Sequence, residues 1–203
     1  MLQKIKDRLF RKPAATPAPM PNNELRDPVD PFCFNLDLVP TNNDWGESGE
    51  SFFAYMMKKY HFQAYFLGEK APTKDFLVHF IVDAKYTYSF LVQVKTPIQA
   101  QYTKQETKIS VPDFNSKDVE LLSNHTDATY LCVVDLNRQK LYFRGVFGEK
   151  NTISSIATTH KLDNNPDAQQ RNGILLYQLA KEVIKYHNEI IFSNKPNFKT
   201  VFI

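Results

Sequence analysis

The sequence predicts an α/β domain, and three observations lead there. Residues 75–83 and 88–96 are two runs rich in Val, Ile, Phe and Tyr, separated by a short polar break, which reads as a β-hairpin. Residues 47–60 and 167–188 repeat apolar side chains at helical spacing. Two more apolar runs, 130–136 and 140–146, lie between these helices and are joined by Asn137, Arg138 and Gln139.

Each element has a local reason. In 47–60 the apolar face is Phe53, Met56, Met57 and Tyr60; Glu47 and Glu50 are expected in the first turn, and Lys58 and Lys59 in the last, as the helix dipole favours. A short helix is expected over 116–124. The helix over 167–188 buries a stripe of Leu175, Leu176, Leu179, Ala180, Val183, Ile184 and His187. Two apolar stretches near the end, 190–192 and 200–203, are expected to add a strand or pack on the core.

The 203 residues are 42% hydrophobic, enough for one domain with a real core over 32–203. Only 6 residues are glycine, which argues against a Gly-rich nucleotide loop. Two distant cysteines and five histidines without a His-Glu-x-x-His pattern argue against a disulfide framework or structural zinc. Cys132 sits in an apolar run and reads as a small buried hydrophobe. No apolar run suggests a membrane span or a secretory leader, so a cytoplasmic location is expected.

The charge is unevenly spread. Residues 1–12 hold five basic residues against Asp7, a net +4, in a basic amphipathic pattern with Leu2, Ile5, Leu9 and Phe10. Six prolines over 13–31 mark a stiffened linker. The first twelve residues read either as a disordered tail or as a short helix that docks on a protein partner or an anionic membrane surface, which would set the chain at the membrane periphery. The other 191 residues carry 20 basic and 21 acidic groups, so the globular part has no overall basic excess.

Chemistry is suggested by a lysine inside an apolar strand. Side chains alternate along a strand, so Gln93 and Lys95 share a face while Val92, Val94 and Thr96 take the other. An ammonium there needs a partner, and Asp75 at the start of the preceding strand is the natural one. The expected register sets Asp75 opposite Lys95 and Leu77 opposite Gln93, with Ala84, Lys85 and Tyr86 as the loop. A carboxylate, an amide oxygen and a helix glutamate can share one hard divalent ion. In that reading Asp75 is the main ligand and Gln93 a neutral one, with Glu50, or Glu47 in its place, completing the shell. Lys95 would orient a water and offset charge developing on phosphorus. The plainer reading is a structural Asp75–Lys95 pair, with Glu47 and Glu50 as ordinary helix acids. His79 shares the parity of Asp75, Asp83 reads as a hairpin-end residue, and Asp135 and Asn137 read as turn formers.

The order Gly46-Glu47-Ser48-Gly49-Glu50, then Asp75, then Gln93-Val94-Lys95 resembles the PD-(D/E)XK nuclease superfamily. Within it, the pattern is similar to the Mrr-like branch, where the second acidic position is Gln. It also resembles a bacterial domain family with a Gly-Glu-x-x-Glu helix, an Asp strand, a Gln-Val-Lys strand and a later strand ending in Val-Val-Asp, as at Val133, Val134 and Asp135. The resemblance spans about residues 44–145. It implies a restriction-endonuclease-like fold, a central mixed β-sheet flanked by helices. It further implies Mg²⁺- or Mn²⁺-dependent cleavage of nucleic acid, DNA before RNA, by a defence nuclease that can act as a homodimer. Two positions depart from the pattern: Lys74 stands where proline is usual, and Gln93 leaves the sheet with one carboxylate. A non-catalytic binding or scaffold module with the same fold is the alternative, and a third is a small subunit whose partner supplies specificity.

Overall fold

The computed structural model describes residues 42–68 and 73–193. The sequence expectations for 1–12, for the 13–31 linker and for 200–203 lie outside the described residues. Helix α1 (Asn42–Lys59) leads into strands β1 (Gln63–Phe66), β2 (Phe76–Val82) and β3 (Tyr86–Lys95). A short strand β4 (Lys108–Ser110) precedes helix α2 (Ser116–Ser123) and strands β5 (Ala128–Asp135) and β6 (Lys140–Gly145). Strands β7 (Ser155–Ala157) and β8 (Lys161–Asp163) are followed by a 3-10 turn and helix α3 (Gln169–Ser193).

Six strands form one sheet in the order β1-β2-β3-β5-β6-β8, and β4 pairs with β7 as a separate ribbon. The sheet is mixed. Strands β3 and β5 run parallel, and the other neighbours run antiparallel. A parallel neighbour cannot be reached by a tight turn, so the chain crosses over through β4 and α2 before β5 begins.

Both faces of the sheet are covered. Val92, Val94, Tyr130, Cys132 and Val134 pack with Phe53, Met56 and Met57 of α1 and with Leu176, Leu179 and Val183 of α3. Leu131, Val133 and Tyr142 face the other way, onto Val119 and Leu122 of α2 and Ile109 and Ile156 of the ribbon. Strand β5 is therefore buried at every position, and its Tyr-Leu-Cys-Val-Val run needs no polar alternation. Each fully buried Phe, Leu or Val contributes roughly 1.5–3 kcal/mol through its burial. The buried Asn172 ties α1, β8 and α3 together. It donates to the Tyr60 hydroxyl (2.6 Å) and the Asp163 carbonyl (2.7 Å), and accepts from the Asp163 amide (3.0 Å).

Several boundaries differ from the sequence reading. Helix α1 begins at Asn42, which puts Asp44 in its first turn and Glu47 and Glu50 beyond it. Residues 190–192 extend α3 and form no strand. Strands β1, β4, β7 and β8 were not expected; each has three or four residues, too short for a period-2 pattern to stand out. The hairpin loop is Asp83, Ala84 and Lys85, with Val82 paired to Tyr86. Asp83 (φ 54°) and Ala84 (φ 52°) are both left-handed, the pair a type I′ turn requires, and the Lys85 amide closes it on the Val82 carbonyl at 3.1 Å.

One close approach sets the height of α1 over the sheet. A Cβ on Gly49 would lie 1.8 Å from the Thr96 hydroxyl oxygen, so only glycine lets the helix pass the end of β3 here. Gly173 in α3 has nothing within 4 Å of its Cβ direction. Replacing Gly49 with alanine is therefore expected to cost about 1–3 kcal/mol despite better helix propensity. Gly173→Ala is expected to add about 0.5–1 kcal/mol. Urea denaturation of the two variants checks the opposite signs.

Candidate active site

The candidate residues gather where β3 outruns β2. Phe76 pairs with Val92, so Asp75 lies abreast of Gln93, two residues from the expected partner Lys95. The shared face survives, because a two-residue shift preserves strand parity. Strand β2 ends at Phe76, and the Asp75 carboxylate takes over from the backbone. Its Oδ2 accepts the Val94 amide at 2.6 Å and the Gln93 side-chain amide at 2.8 Å. Its own amide donates to Val92 (2.9 Å) and its carbonyl accepts from Leu67 (2.8 Å), which fixes the residue from both neighbouring strands.

Gln93 is buried and Lys95 is half-buried. Lys95 forms no ion pair among the described residues, so the structural Asp75–Lys95 pair is not made as a contact. Its charge still acts over distance to stabilise the ionised Asp75. Glu50, half-buried on α1, follows the glycine that meets Thr96, and that contact brings its turn to the end of β3. Glu47 is exposed one turn earlier.

The electrostatics are unbalanced. Burial pushes the Asp75 carboxyl above the usual range, against the opposing pull of the Val94 amide and Lys95. Burial also raises Glu50, and the nearby charges of Asp75 and Glu47 raise it further. Two acids that repel each other beside a lysine bound to neither would gain from a further cation. Thr96 Oγ1, enclosed in the same place, is a buried side-chain oxygen without a hydrogen-bond partner among the described residues.

An open cleft of about 410 Å³ lies here, lined by Gly46, Glu50, Lys95, Thr96, Gln99 and Asp113 among others. Asp75 and Gln93 do not line it. Lys95, two residues beyond Gln93 on β3, does line it, and the charge of Asp75 acts on Glu50 from nearby. Asp113 went unnoticed in sequence, since nothing around it is patterned. It is exposed in the loop before α2 and held at φ 46°, a left-handed conformation that few non-glycine residues adopt. A larger depression, about 460 Å³ between β2 and α3, is walled mainly by apolar residues such as Phe62, Phe80, Leu176 and Ile184, with His61, Asp83 and Lys181 also in its lining.

Asp135 does more than form a turn. It is buried at the end of β5, where it accepts the Arg138 amide (3.1 Å), which closes the β5–β6 turn, and the Tyr102 hydroxyl. Tyr102 also meets the Tyr142 hydroxyl at 3.0 Å and lies under the Arg138 guanidinium, 4.3 Å from its ring centre. This network anchors the 96–107 segment beside the cleft. His79 stacks edge-on against Tyr65, with ring centres 5.1 Å apart.

A hard divalent ion of the Mg²⁺ type keeps several waters and takes only one or two carboxylates, so a full protein cage is not required. Among the described residues no three His, Cys, Asp or Glu side chains form such a cage. The donors present suit the sparser arrangement: the second oxygen of Asp75, the amide oxygen of Gln93 and the Glu50 carboxylate.

The raised Glu50 carboxyl gives a stability test. At low pH it is protonated in both folded and unfolded chains and contributes nothing. As pH rises past its unfolded value the unfolded chain loses the proton first, and stability falls until the folded value is passed. Glu50→Gln is expected to be more stable than the wild type near pH 7 and equal to it near pH 3, as read by thermal melts across that range.

Comparison with protein-family models, with curated proteins and with solved structures returned no match.

Proposed function

We propose that this chain is a metal-dependent nuclease built on a restriction-endonuclease-like core, acting on DNA before RNA. The observation that carries the reading is the convergence of Glu50, Asp75, Gln93 and Lys95 at one end of the sheet, with the two acids held above their ordinary range. The element order supports it as well: one helix, three antiparallel strands, a crossover helix, then a strand parallel to the third.

The reaction class follows from the residue types. Asp75, Gln93 and Glu50 would hold Mg²⁺ or Mn²⁺. When bound, such an ion polarises a phosphodiester and lowers the pKa of a coordinated water. Lys95, half-buried and in no ion pair among the described residues, would orient the attacking water and offset negative charge gathering on the phosphoryl oxygens. Burial strengthens each of these interactions relative to water.

A second reading is a nuclease-fold module that binds without cutting and docks through residues 1–12. The net charge of −1 over the other 191 residues favours it, because duplex binding draws on phosphate neutralisation. Cleavage assays with plasmid DNA and with RNA separate the two. The nuclease reading expects Mg²⁺- or Mn²⁺-dependent cutting that falls at least about 10²-fold in Asp75→Ala and in Lys95→Ala, with circular dichroism unchanged. Wild-type protein that neither binds the metal nor cuts, with both variants folded, supports the binding module.

A further inference from the structure

We propose that Gln93 is a positioning residue. Its side-chain nitrogen clamps one oxygen of Asp75 and thereby presents the other to the cation. The inference rests on the metal-site reading above and gives Gln93 a role besides that of a neutral ligand. The geometry is specific. The Gln93 Nε2 group donates to Asp75 Oδ2 at 2.8 Å, the same oxygen that takes the Val94 amide at 2.6 Å. The reverse orientation would set the amide oxygen against an ionised carboxylate oxygen, so the nitrogen is the end that faces Asp75. The second N–H leans toward the Val94 carbonyl at 3.4 Å, which keeps the amide plane in place.

Two donors on one oxygen fix the carboxylate's rotation. Oδ1 carries no bond to a described residue, and the Gln93 oxygen is turned away from Asp75 on the same side chain. Gln93 is buried, so water competes poorly for these bonds. A glutamate at this position would have no N–H to give and would set like charges side by side. A neutral amide holds the single sheet carboxylate in one orientation without adding charge.

The test uses the isotope-labelled full chain in solution. In the wild type a Gln93 side-chain N–H resonance is expected to be displaced downfield and to return to the ordinary amide region in Asp75→Ala. In Gln93→Met, which keeps volume but removes the donor, exchange of the Val94 amide is expected to quicken at least about tenfold while β5 amides exchange as before. Calorimetry with Mg²⁺ is expected to show a dissociation constant at least about tenfold higher in Gln93→Met. A Gln93 resonance indifferent to Asp75→Ala, or unchanged Val94 exchange in Gln93→Met, overturns the clamp. So does loss of the displaced resonance when Mg²⁺ binds. If Mg²⁺ binds neither protein while the displaced resonance is present, the cation reading fails and the positioning role falls with it, leaving the hydrogen bond as a structural one.

Discussion

The hydrogen bond from the Val94 amide to the Asp75 carboxylate is the contact on which the site depends. Strand β3 runs on past the end of β2, and its next inward amide would otherwise face an empty edge. A buried amide without a partner costs on the order of 1–3 kcal/mol. The carboxylate meets that need and is in turn pinned where the two strands part. A structural requirement of the sheet is thus met by the side chain that the proposed site would use as its main ligand, with Gln93 as the second donor.

The helix side of the cleft obeys a different constraint. Packing of Phe53, Met56 and Met57 sets the path of α1 across the sheet, and the missing side chain at Gly49 lets that path come down onto Thr96. Glu50 follows directly and is carried beside Asp75. Their mutual repulsion, combined with burial, is unfavourable for a free-standing protein. A cation sharing the space would offset it, and the proposed metal site rests on that imbalance.

Beyond the cleft the fold spends polar groups on anchoring. Asp135, Tyr102, Tyr142 and Arg138 fasten the segment after β3 to the end of β5, and Asn172 fastens the three elements at the opposite corner. Both are buried polar hubs whose atoms find partners. That contrasts with Lys95 and Thr96 Oγ1, which find none among the described residues.

Much of this was legible in the chain. The long apolar runs fixed β2, β3, β5 and β6 to within a few residues, and helical spacing marked α1 and α3, because burial on a face imposes a period that the sequence must carry; a short helix was also expected where α2 lies. The shared face of Gln93 and Lys95 was readable from strand parity, and that of Asp75 from an expected even register, which the observed pairing keeps. The two-residue register shift was not, since it rests on a type I′ turn at Asp83 and Ala84 that no glycine announces. The short strands, the starting point of α1, the partner role of Asp135 and the approach of Asp113 were likewise decided by tertiary structure. Periodicity records which side of an element is buried. Only packing determines which buried side meets which, and so only the folded chain sets Glu50 against Asp75 and leaves Lys95 without an ion-pair partner among the described residues.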